Sequence, residues 1–208
     1  MVIINRFVNE LMSSNCFIVH QDNQQTCIII DPGTEKCGQL IEHLEATNLQ
    51  VDYVLLTHEH TDHTWGCNTI VERYGSKVVC SRNCKEALPF EGRLYFQLYY
   101  NQTDYQYAVK KVDLLIEDID YSLNWKGLEI KFLLTPGHSE GSVCIYIDGN
   151  LFTGDTMMQY KAYISKKNGC LKKYQDSLNT IQNMFDPEKT QIQPGHGEPF
   201  LLKEFKFF

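Results

Sequence analysis

Apolar side chains along the chain predict strands in two batches. Residues 2–8, 16–20 and 26–31 are short runs rich in Val, Ile and Phe, and the third ends in the turn sequence Asp31-Pro32-Gly33. Leu40, Ile41 and Leu44 then recur at helical spacing, which predicts a helix over 35–47 with Thr34 as its N-cap. Residues 51–56 are almost continuously apolar, the pattern of a strand buried on both faces. A helix near 65–74 and a strand at 77–80 complete the first batch. The second batch comprises strands at 121–125, 128–134, 142–148 and 150–153, a helix near 174–184 and a last strand at 190–193. Between the batches, residues 84–120 carry Tyr95, Tyr99, Tyr100, Tyr105 and Tyr107 without strand alternation, and read as a mostly helical, aromatic-rich insertion. Two batches of strands with flanking helices predict an α/β fold in which two sheets pack face to face with helices outside.

Length and charge narrow the picture. A chain of 208 residues is long enough to bury a proper core, and residues 1–208 read as a single domain. A net charge of −7 argues against nucleic acid or an anionic membrane as partner. No apolar run approaches the roughly 20 residues that span a bilayer. The first residues read as a strand rather than a signal peptide, which predicts a cytoplasmic protein. Eight cysteines (16, 27, 37, 67, 80, 84, 144, 170) form no CxxC pair, and several sit inside apolar strand runs, so they read as small buried hydrophobes.

The candidate chemistry lies in the histidines. Four ligand-type side chains crowd into His58-x-His60-x-Asp62-His63, directly after the buried strand at 51–56. The zincin pattern is absent, because His58-Glu59 is followed at the fourth position by Asp62. Four such groups in six residues exceed what one open tetrahedral ion takes, and suit two adjacent ions. His138, Asp155 and His196 each follow an apolar strand and a glycine, which lets the backbone come close to a site. His58, His60 and His138 then suit one ion, Asp62, His63 and His196 the other, with Asp155 between them. Asp31 is either a turn residue or a support for one of the ligands. His20 and His43 stand apart and read as surface or packing residues. Donors of nitrogen and oxygen without cysteine point to zinc first, with iron or manganese also suited.

These residues, in this order, resemble the metallo-β-lactamase superfamily, and within it the hydroxyacylglutathione hydrolase (glyoxalase II-like) branch. Asn15-Cys16-Phe17-Ile18-Val19, Ile30-Asp31-Pro32-Gly33, Thr135-Pro136-Gly137-His138, Phe152-Thr153-Gly154-Asp155 and Pro194-Gly195-His196-Gly197 carry the likeness across residues 15–197. The resemblance implies an αββα sandwich with two divalent metal ions at one edge. It also implies hydrolysis of a thioester or related ester or lactone, in which Asp62 orients the attacking water. Glyoxalase II enzymes carry a helical glutathione-binding domain after the corresponding last histidine, whereas Glu198–Phe208 alone follow here, so the substrate stays open. The superfamily's iron persulfide dioxygenases, which use the positions of His58, His138 and Asp155, are the alternative, and its phosphodiesterases a more distant one. Tyr160, Lys161, Tyr163, Lys166, Lys167, Lys172 and Lys173 follow Asp155 and read either as a grip on an anionic substrate or as a solvated loop. The aromatic insertion reads as a lid, a homodimer contact or a packed satellite.

Overall fold

The computed structural model describes residues 1–105, 107–118, 121–165 and 168–206, with Tyr99 by its backbone alone. Two six-stranded sheets are built from consecutive stretches of chain. The first is ordered β1 (Val2–Val8), β2 (Asn15–Gln21), β3 (Thr26–Ile30), β4 (Gln50–Leu55), β5 (Lys77–Ser81), β6 (Leu114–Ile116). Its β1–β2–β3 pairs are antiparallel, and β3 to β6 run parallel through helical crossovers. The second runs β12 (Phe200–Leu201), β11 (Gln191–Pro194), β10 (Asn150–Gly154), β9 (Val143–Ile147), β8 (Leu128–Leu134), β7 (Tyr121–Trp125), with only β10–β11 parallel.

Strand alternation sorts the side chains into layers. On β2 and β3, Phe17, Val19, Ile28 and Ile30 point inward and meet Ile130, Phe132, Ile145 and Phe152 of the second sheet. Their neighbours Cys16, Ile18, Cys27 and Ile29 point outward and pack under Leu40 and Leu44 of α1 (Gly38–Thr47) and Ile70 of α3 (Cys67–Tyr74). On the other side, Leu133, Cys144, Leu151 and Ile192 pack under Leu178 and Ile181 of α5 (Leu171–Met184). The order of layers is therefore helix, sheet, sheet, helix. Burial on both faces is why the central strands read as unbroken apolar runs. All eight cysteines are free, and seven are buried in these layers.

Two expectations need correction. The first helix begins at Gly38, and Thr34 does not cap it: the N-cap is Cys37, in the left-handed region, while Thr34 Oγ1 accepts from the Glu10 amide. The insertion is helical only as far as α4 (Arg82–Tyr100); the described residues between it and β6 form no helix. Ser81 caps α4 by accepting from the Cys84 amide. The helix expected near 65–74 is α3, preceded by a four-residue helical turn α2 (Thr61–Thr64). No helix among the described residues is long and apolar enough to cross a membrane.

Candidate metal centre

Seven side chains from both sheets converge at one edge of the sandwich. The segment after β4 supplies His58 and His60, and α2 supplies Asp62 and His63. The turns after β8, β10 and β11 bring His138, Asp155 and His196 to face them. His20 and His43 take no part: His20 lies on β2, and His43 lies on α1 against the Phe7 ring, as the sequence suggested.

The donor atoms fall into two groups. In one, His58 Nε2 and His138 Nε2 lie 3.1 and 3.0 Å from His60 Nδ1, and Asp155 Oδ2 is 3.4 Å from His138 Nε2. In the other, Asp62 Oδ2 lies 3.4 Å from His63 Nε2 and 3.3 Å from His196 Nε2. Asp155 Oδ1 is 3.4 Å from His63 Nε2 and 3.5 Å from His196 Nε2. Asp155 thus turns one oxygen to each group. Tetrahedral donors about 2.0–2.1 Å from an ion lie about 3.3–3.4 Å from one another, so both sets have the spacing of ligands around a cation.

The outer hydrogen bonds fix which ring nitrogens are bare. The Thr57 hydroxyl donates to Asp31 Oδ2 (2.5 Å), so it accepts from His58 Nδ1 (3.0 Å) and leaves His58 Nε2 as a lone pair. His138 Nδ1 faces the Tyr163 carbonyl at 2.9 Å, His196 Nδ1 the Met12 carbonyl at 3.1 Å, and His63 Nδ1 the Asp31 carboxylate at 3.1 Å. Each of these acceptors takes an N–H on Nδ1, so in the neutral ring Nε2 is the lone pair. The bare Nε2 atoms of His58 and His138 then both turn on His60 Nδ1, and those of His63 and His196 face carboxylates. His63 Nε2 and Asp155 Oδ1 are buried without a hydrogen-bond partner. Buried acceptors turned on one another are costly unless something positive sits among them.

Asp31 is in reach of His58 and His63 as a third potential ligand group. Its oxygens, however, already accept from the Thr57 amide, the Thr57 hydroxyl and His63, so its place is behind the ligands. Of the readings open for Asp31, the supporting one fits. Thr57 and the loop carbonyls of Met12 and Tyr163 were not singled out, because hydroxyls and carbonyls leave no one-dimensional trace of what they hold.

Electrostatics divide the groups in the same way. Burial drives His58, His60 and His138 toward the neutral form, His60 down to about 4. Burial opposes charge on His63 too, but Asp62 and Asp155 outweigh it and hold that ring well above its usual value. For Asp155, burial is outweighed by His63, His138 and His58, which keep it ionised. Gly195 permits the crowding, since a Cβ there would collide with Asp155 Oδ1 and His63. The expectation for Gly137 is corrected: a Cβ there would strike the backbone of Tyr174, so it serves the approach of α5.

The centre opens into a cleft of about 510 Å³. Its floor holds His60, Asp62, His138, Asp155 and His196; α4 lends Leu94, Tyr95 and Leu98 to one wall, and Met158, Tyr160, Lys161 and Tyr163 form the other. The insertion is therefore part of the site. Of the lysines singled out, Lys161 lines the cleft, Lys173 is paired with Glu140 at 2.7 Å, and Lys172 is exposed on α5. Lys166 and Lys167 lie outside the described residues.

Residues 10–196 match the family model of the metallo-beta-lactamase superfamily. The hydroxyacylglutathione hydrolase of Pelagibacter ubique is 26% identical over 89% of this chain and 67% of its own length. A probable polyketide biosynthesis zinc-dependent hydrolase of Bacillus velezensis, BaeB, is 24% identical over 90% of this chain and 75% of its own. The fold is that of the BLEG-1 B3 metallo-beta-lactamase, with a TM-score of 0.86 at 22% identity, covering 97% of this chain and 95% of that one. The chain spans between 45% and 67% of the length of the hydroxyacylglutathione hydrolases it matches. A family model that takes in both batches of ligands, on a sandwich of this architecture, leaves one assignment: the chain belongs to the metallo-beta-lactamase superfamily.

Proposed function

We propose that the chain is a dinuclear metal-dependent hydrolase of a thioester or a related ester or lactone. His58, His60 and His138 hold one divalent ion, Asp62, His63 and His196 the other, and Asp155 serves both. The observation that carries this reading is the set of four rings whose outer partners accept from Nδ1 while buried carboxylates and lone pairs face the same two points. A donor set of imidazole and carboxylate suits zinc, iron or manganese, and zinc is preferred because the Bacillus velezensis relative is named zinc-dependent.

Divalent ions held there would supply Lewis acidity, polarising a carbonyl and bringing the pKa of a bound water toward neutrality. The chain's own contribution is placement. Asp62, on the cleft floor, orients a water and accepts its proton; Leu94, Tyr95, Leu98 and Met158 keep bulk water from the reacting carbonyl. Lys161 meets an anionic group of the substrate at the mouth of the cleft.

The test is reconstitution of metal-free protein with zinc under nitrogen, followed by a panel of S-lactoylglutathione, smaller acyl thioesters and simple lactones. Thiol release or ring opening is expected, faster with the smaller thioesters. Lys161→Ala should raise KM for a carboxylated substrate and leave a neutral one unchanged. Zinc protein inert across the panel, with iron protein consuming oxygen in the presence of a persulfide, would replace this reading with the dioxygenase that uses His58, His138 and Asp155.

A further inference from the structure

The two ligand groups are supported by different parts of the chain. The turn between β1 and β2, residues 9–14, and the first residue of β2 reach every ligand of the Asp62–His63–His196 group. Ser14 Oγ donates to the Asp62 carbonyl at 2.5 Å, and Ser14 is fully buried. Asn15 Nδ2 donates to the carbonyls of Pro194 and Gly197 at 2.9 and 2.8 Å, and the Asn15 amide to that of Gly195 at 2.6 Å, so the backbone on both sides of His196 is held. The Met12 carbonyl accepts from the His196 ring itself. Asn9 Nδ2 donates to Ser14 Oγ at 2.9 Å and to the carbonyl of Asp31, whose carboxylate orients His63. Met12 and Ser13 both adopt left-handed backbone angles, φ 52° and 53°, within this turn.

The Asn9–Asp31 bond is shared, since the Asp31 carboxylate also holds the Thr57 hydroxyl that orients His58. The bonds made by Ser14 and Asn15 reach only the second group among the described residues. His58 is oriented by Thr57, and His138 by the Tyr163 carbonyl, from the opposite side of the cleft.

We infer that the buried Ser14–Asn15 brace, with Asn9 bonded to Ser14 Oγ, is a positioning device in which Ser14 and Asn15 serve the second ion, so that loosening either costs the chain one metal and leaves the three-histidine site intact. This rests on the dinuclear reading above. None of these three side chains is a ligand or lies on the cleft floor. Their effect runs through the carbonyls they hold, and outer partners of this kind are worth about 10- to 100-fold in metal affinity. Arg6 adds to the same brace from the surface, donating to the Gly197 carbonyl at 2.9 Å and to Glu198 at 2.6 Å.

The experiment is a titration of the metal-free protein with Zn²⁺ against a chromophoric chelator, resolving two binding steps. Ser14→Ala and Asn15→Ala are expected to weaken one step about tenfold or more and leave the other within about threefold, with metal content after dialysis falling from two ions toward one. Arg6→Ala, at a half-buried position on the edge strand β1, removes no core side chain and should weaken the same step by less. Equal loss in both steps, or no loss in Arg6→Ala together with unchanged steps in Ser14→Ala, would overturn the inference. Wild-type protein that takes up a single ion would instead overturn the dinuclear reading, and the assignment of the network with it.

Discussion

At the scale of single residues, the centre distinguishes groups that differ little in composition. Asp62 and Asp31 are both buried aspartates beside His63, yet Asp62 faces the cleft and Asp31 faces away from it. Asp62→Ala should lower kcat by on the order of 100-fold while the three-histidine group still binds metal, measured by steady-state kinetics with metal analysis. His43→Ala should leave metal content unchanged and cost about 1 kcal/mol in urea unfolding, the value of its edge-on packing against Phe7. If His43→Ala released metal, the division of the histidines would be wrong. All seven candidate ligands were legible in the sequence, because each stands at the end of an apolar run and beside glycine or another ligand type. Ser14, Asn9 and Thr57 were not. A hydroxyl or amide that braces a carbonyl looks like any loop residue until the chain segments it joins are brought together.

At the scale of elements, regular alternation was read well and irregular stretches were not. The inward and outward faces of β2, β3, β8 and β9 follow from their period of two. β6 was missed because Leu114–Ile116 is three residues long and its alternation is too short to register. The aromatic segment gains a definite role from the structure. Trp65, directly after α2, packs on Phe96 at 4.9 Å and donates to Tyr105, which donates to Glu35, while the Tyr107 hydroxyl donates to the Thr64 carbonyl. The element that carries Asp62 and His63 is thus seated against the insertion. Gly92 of α4 sets how near that helix comes to Tyr107 within the insertion. A Cβ there would run into the Tyr107 carbonyl. Helix propensity alone favours Gly92→Ala by about 1 kcal/mol, whereas forcing backbone apart costs about 1–3 kcal/mol. Contact with rigid backbone decides the sign, so Gly92→Ala should lower stability in denaturant unfolding. A stabilised variant would mean that α4 and the segment at Tyr107 separate freely.

At the scale of the whole molecule, the metal-binding edge is where the two sheets meet. His58, His60, Asp62 and His63 come from the first, and His138, Asp155 and His196 from the second. Metal that binds the folded chain alone stabilises it in proportion to the logarithm of its concentration over Kd. Chelation should therefore lower Tm, and Tm should climb with free zinc in a calorimetric series. A Tm indifferent to zinc would show that the ligands are not bridged by metal.

The splitting of the ligands between consecutive halves of the chain bears on how the molecule assembles. Residues up to 116 offer only His58 and His60 to one ion and Asp62 and His63 to the other; everything else comes from residue 138 onward. Neither half alone presents a full coordination shell, so metal capture has to wait until both halves have formed and docked. An interaction made after the rate-limiting barrier slows unfolding without hastening folding. Stopped-flow refolding should then run at the same rate with zinc or with chelator, while unfolding in chelator accelerates. On the dinuclear reading the ions would act as a latch that closes on a finished sandwich, and a chain with its halves misjoined would be recognisable by its failure to take up metal.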